Sequence, residues 1–157
     1  MSLKHCLSVA IALALLSFLP AARLIRAQGG KAAAARNLRC EFSLATTAKW
    51  NGTGSPEAVV KAGMLVLRFN SINTDEGTAE LRNGTVNSEI TAQQAARNLH
   101  FIQSFRSGPI YVTTVFDQET TGGKLRAVHS RHESFITPLE GSTSSPEQYY
   151  GECEIVN

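Results

Sequence analysis

From Arg39 to the C-terminus, apolar and polar residues alternate in short runs broken by Gly, Asn, Ser and Pro. A period of two places successive side chains on opposite faces of a strand. "CEFSLATTAKW" (40–50) reads as a first strand. "MLVLRFNSI" (64–72) is the strongest, with Leu65, Leu67 and Phe69 on one face. Between them, "SPEAVVKAG" (55–63) has Ser55 as a possible N-cap, Pro56 at the first helical position and Gly63 as a stop. That pattern predicts a short helix.

Further on, Asn83-Gly84 between alternating runs predicts a β-hairpin. A two-residue closure there would set Leu81 against Val86, with Ala79, Leu81, Val86 and Ile90 sharing a half-buried face. "TAQQAARN" (91–98) begins with a possible capping box, Thr91 and Gln94, and predicts a helical turn. In "LHFIQSFRSGPIYVTTVFD" (99–117), closure at Ser107-Gly108 would pair Phe105 with Ile110, Phe101 with Thr114 and Leu99 with Phe116. The resulting apolar face is Leu99, Phe101, Phe105, Ile110, Val112 and Phe116, interrupted by Gln103 and Thr114. A further strand follows the loop "QETTGG", and "PEQYYGECEIV" (146–156) forms the last.

About eight short strands, joined locally and without a β-α-β rhythm, predict a mainly β protein. The expected fold is an antiparallel meander closed into a small up-and-down barrel of lipocalin- or avidin-like architecture. A two-sheet sandwich satisfies the same strand pattern. Closure would remove exposed edges.

The first 27 residues depart from this grammar. A basic start (Lys4, His5) precedes an apolar run of 13 residues, Leu7–Leu19, followed by Pro20 and small residues. This is the layout of a secretory signal peptide, and the run is shorter than the roughly 18 residues of a membrane span. Residues 1–27 are therefore read as a signal peptide cut after Ala27, with Ala21 as a second candidate. Residues 28–38, rich in Gly and Ala, read as a flexible tether, and 39–157 as a single β-barrel domain. The expected product is exported, periplasmic or extracellular, without a membrane span.

Removing the leader changes the charge. The chain has 15 Lys and Arg against 13 Asp and Glu, and the leader holds Lys4, Arg23 and Arg26 but no acid. The remaining 12 basic residues are scattered without a run, which argues against nucleic-acid binding. Loss of Cys6 leaves Cys40 and Cys153, an even pair that reads as a disulfide in an oxidising compartment. Asn51 and Asn83 sit in glycosylation sequons, a match that turn residues produce by themselves.

Candidate chemistry concentrates in "KLRAVHSRHESF" (124–135). On a strand, His129 and His132 point to opposite faces, so they cannot jointly hold a metal. Ser130 likewise faces away from His129, and no Gly-x-Ser-x-Gly elbow occurs. These residues predict neither an enzyme nor a cofactor. Leu125 and Ala127 continue an inner apolar face, which carries His129 and Arg131 inward. Two readings follow: a hydrogen-bonded structural network, with Arg131 paired to Glu133 or a C-terminal acid, or a pocket. In the second, Gln103, Thr114, His129 and Arg131 line a cavity for a small polar or anionic molecule. A different class of function is a periplasmic or secreted protein-binding module, such as an inhibitor or envelope-associated factor. It would use the loops "WNGTGSPE" and "TPLEGSTSSPEQYY", with Trp50 and Tyr149 or Tyr150 as anchors.

The blocks "TTVF", "AVHSRH" and "QYYGECE" together resemble the signature blocks of a group of small exported bacterial proteins with no known activity. The resemblance spans about residues 40–154. It implies a periplasmic or secreted bacterial protein and fits the end pair of cysteines.

Overall fold

The computed structural model describes residues 30–50, 54–133 and 145–157; the proposed leader, residues 1–27, lies outside them. Eight antiparallel strands follow in chain order: β1 (Leu38–Trp50), β2 (Pro56–Asn73), β3 (Thr78–Asn83), β4 (Val86–Ala95), β5 (Asn98–Ser104), β6 (Ile110–Glu119), β7 (Leu125–Glu133) and β8 (Ser145–Ile155). Each pairs with its neighbours in sequence, and β8 pairs back onto β1. The ring is closed, so the sandwich alternative falls.

The seam is fixed at Cys40 and Cys153, which face each other across β1 and β8 and form a disulfide with 3.9 Å between their Cα atoms. Just above it, the register of β1 slips by one residue at Ser43 against both β2 and β8. Below the slip Cys40 and Phe42 point inward; above it Ala45 and Thr47 do. Gly151 crosses this bend so closely that a Cβ would lie 2.0 Å from the Glu41 carbonyl oxygen. Only glycine lets the seam close there.

Inward-facing Phe42, Leu67, Phe69, Leu99, Phe101, Val115 and Leu125 fill the middle of the barrel. The Phe69 and Phe101 rings stack across it at 3.8 Å. An eight-stranded ring is just wide enough for its side chains to fill it or to hold one small ligand.

Residues 30–37, expected to be a free tether, instead close the lower end. Ala32 and Ala35 are fully buried in the core cluster. Asp117 accepts a hydrogen bond from the Ala32 amide and pairs with Arg97, interactions that hold its carboxyl below the usual carboxylate range despite burial. The Ile72 amide donates to the Arg36 carbonyl, and that of Val156 to Asn37. Alanine's small side chain, read as featureless in the sequence, is what fits between the strand ends.

Both expected helical segments are strand. Residues 56–63 belong to β2, because pairing with β1 from Trp50↔Pro56 to Leu44↔Ala62 outweighs the capping signal. Residues 91–95 extend β4 against β5, and the chain turns only at Ala96, whose φ is 53°.

Two hairpins also differ in register. The first closes with Asn83↔Val86, so the loop is Gly84-Thr85 rather than Asn83-Gly84. Gly84 takes φ = 60° at the first loop position, as a type II′ turn favours. The shift of two residues keeps the predicted faces. The second shifts by one and does not. Pro109 has no N–H with which to close a Ser107-Gly108 loop. Phe105 donates to the Pro109 carbonyl, and Gly108 (φ 111°) supplies the return bond to the Phe105 carbonyl. The loop therefore gains a residue, Ser104 pairs with Ile110, and β6 turns over. Val112 and Phe116 now face outward, while Val115 is buried.

Cys153→Ser should lower stability by roughly 2–5 kcal/mol, as for loss of a disulfide in a small domain. Denaturant unfolding of the oxidised protein and the variant measures this, and alkylation of the unreduced protein should label neither Cys40 nor Cys153.

Candidate functional site

The upper end of the barrel holds a cavity of about 240 Å³, lined by Leu67, Leu81, Asn83, Val86, Ser88, Gln103, Phe105, Tyr111, His129 and Arg131. Alternation on three adjacent strands builds its polar wall. β6 contributes Tyr111 and Thr113, β7 His129 and Arg131, and β8 Glu147 and Tyr149. Tyr111 stands opposite Arg131, Thr113 opposite His129, and His129 opposite Tyr149.

His129 is 3% exposed and lines the cavity beside Arg131. Its Nε2 accepts a bond from Arg131 Nε at 3.3 Å, which leaves Nδ1–H to donate to Thr113 Oγ1 at 2.8 Å. Both nitrogens are thus occupied in the neutral ring. Burial first, and then the adjacent Arg131 charge, lowers its pKa from 6.5 to about 4.

Arg131 extends upward from this ring. Its guanidinium carbon lies 5.2 Å from the Tyr111 ring centroid and 5.3 Å from that of Tyr149, within cation–π range of both. The phenols donate outward, Tyr111 to Glu133 at 3.0 Å and Tyr149 to Glu147 at 2.7 Å. Burial, followed by these carboxylates, raises both phenol pKa values, so they remain donors. The two rim acids therefore bind phenols, and among the described residues no carboxylate lies within 4 Å of Arg131. The expected Arg131–Glu133 pair is replaced by a tyrosine between them.

Of the four predicted lining residues, the structure brings together Gln103, His129 and Arg131. Thr114 is corrected: the extra residue in the β5–β6 loop turns it outward, where its hydroxyl meets His100 Nδ1 at 3.0 Å. Thr113 takes the inner place and is 2% exposed. Tyr111 and Tyr149 were not predicted as walls of the site; the even spacing of Tyr149, Gly151 and Cys153 on β8 is the signal that places Tyr149 inside. Tyr150, the other anchor candidate, faces outward at 38% exposure. His132 is exposed and faces away from His129. Of the two loops proposed for protein binding, residues 51–53 and 137–144 lie outside the described residues, as does the side chain of the anchor candidate Trp50. Among the described residues, no three His, Cys, Asp or Glu side chains gather in a metal-binding group, and no helix is long and apolar enough to cross a membrane.

No protein-family model matches the chain, and neither does any curated protein or solved structure. The class it can be assigned is therefore architectural: an eight-stranded antiparallel barrel, closed by a disulfide, with a cavity at its upper end lined in part by Tyr111, His129 and Arg131.

The buried ring makes stability depend on pH. The unfolded chain protonates His129 near pH 6.5, whereas the folded chain does so only near pH 4. Between these values the unfolded state binds more protons, so stability falls as the pH falls. The loss should reach about 3 kcal/mol at pH 4. Denaturant unfolding across this range should show that slope, and His129→Gln should lack the same increment.

Proposed function

We propose that this is an exported, non-catalytic barrel that binds a small molecule carrying an anionic or strongly polar acceptor group on a compact apolar body. The carrying observation is Arg131. It is fixed between two tyrosine faces at the wall of an open cavity, and no carboxylate among the described residues is within ion-pair distance. Its Nε is engaged by His129, and its outer N–H groups are the donors suited to a carboxylate. Opposite, Leu67, Leu81, Val86 and Phe105 offer the apolar contact. The volume of about 240 Å³ lies below the roughly 300–1,000 Å³ of drug-sized sites, which favours a short-chain or single-ring ligand.

Two features support binding over catalysis. Among the described residues, His129 is the only imidazole lining the cavity, and both of its nitrogens are hydrogen-bonded. The positioned partners that a general base needs to reach a substrate proton are occupied within the fold. Export is supported by the leader-like start and by the disulfide, whose formation suits an oxidising compartment.

Calorimetric titration with short-chain and single-ring monocarboxylates, and with their primary amides, tests this function. Carboxylates should bind more tightly than the amides. Arg131→Gln should weaken carboxylate binding by roughly 10–100-fold, the equivalent of about 1.5–3 kcal/mol for a charge-assisted bond. Absence of binding throughout the series at millimolar concentration, or equal binding by Arg131→Gln, would exclude this site as an anion receptor.

A further inference from the structure

Closure of the ring leaves one long strand incompletely paired. β2 meets β3 only through Arg68–Asn73. Residues 56–62 and 65–67 pair with β1 on one side and, among the described residues, have no strand on the other. Such an edge presents unpaired N–H and C=O groups and is a template for another strand. It is also apolar and open: Val59 is 54% and Val60 63% exposed.

We propose that this edge pairs with the same edge of a second copy, antiparallel and about a two-fold axis at Val59. The charges of the segment select the partner and the register. Residues 56–62 read "PEAVVKA", with Glu57 and Lys61 both exposed and on the same face as Val59. When Val59 faces its own counterpart, Glu57 stands opposite the second copy's Lys61, and Lys61 opposite its Glu57. Both pairs unite opposite charges, a favourable cross-strand arrangement. Centring on Lys61 or on Glu57 would instead set like charges against each other, and centring on Val60 would leave both without a charged partner. Pro56 falls at the end of the ladder, where its missing N–H costs least. The contact is isologous, so it closes at two copies and does not propagate as a fibre.

On β1, Lys49 faces Glu57 and Ala45 faces Lys61. Lys61→Glu is therefore the cleaner reversal, because no charge lies directly across from it within the chain. Sedimentation of the oxidised protein should reveal a dimer. Lys61→Glu and Glu57→Lys should each weaken it by roughly tenfold or more, since symmetry converts two attractive pairs into two repulsive ones. An equimolar mixture of the two single variants should form a heterodimer more tightly than either variant forms a homodimer. A monomeric parent protein would overturn the proposal and leave the edge to another occupant. A dimer indifferent to both reversals would place the contact elsewhere, and failure of the mixture to recover would overturn this register.

Discussion

The structure depends on one junction, where the first strand meets the last. An open sheet of eight strands would expose two edges and half of its apolar face to water. Closure between β1 and β8 brings Phe42, Phe69, Phe101 and Leu125 into one interior. Covalent linkage at Cys40 and Cys153 acts on the pairing of the first strand with the last, between residues 113 apart in sequence. In the chain-entropy model, joining such distant positions removes the most freedom from the unfolded chain, although measured gains follow loop length only loosely. Geometry matters as much as the bond. The slip at Ser43 turns β1 sharply, and Gly151 allows the neighbouring strand to lie against the turn.

Closure also explains why the two ends of the barrel differ. Below, Ala32 and Ala35 pack under the sheet, and Asp117 fastens their backbone to β6. In the middle, the stacked Phe69 and Phe101 rings fill the interior between opposite walls. Among the described residues, the cavity lies above, where β6, β7 and β8 carry tyrosine, arginine and histidine. The position of the cavity thus follows from where large side chains stop.

The strand pattern made most of the ring legible. Alternation in Leu125, Ala127, His129 and Arg131 placed these side chains inward and His132 outward, and the structure agrees. Helix signals at Ser55-Pro56 and Thr91-Gln94 were misleading because they are local, whereas strand assignment here is decided by a partner distant in sequence. Thr114 was misplaced for a more specific reason: Pro109 lacks the donor that a two-residue loop needs, so one residue was added and the face reversed. That signal was present in the sequence. The alanines of 30–37 carried no comparable signal, because their role is to be small beneath a closed ring.

The mouth of the barrel resolves a conflict that the sequence could only pose. An inward arginine beside an inward histidine is costly if both are charged and neither is paired. Here the histidine remains neutral and accepts from Arg131 Nε, while two aromatic faces flank the guanidinium. The same tyrosines donate their hydroxyls to Glu133 and Glu147. Each ring therefore stands between the guanidinium and one carboxylate. Separation by tyrosine leaves Arg131 at the cavity wall, flanked by two rings and bonded through Nε to His129, with no carboxylate among the described residues within 4 Å.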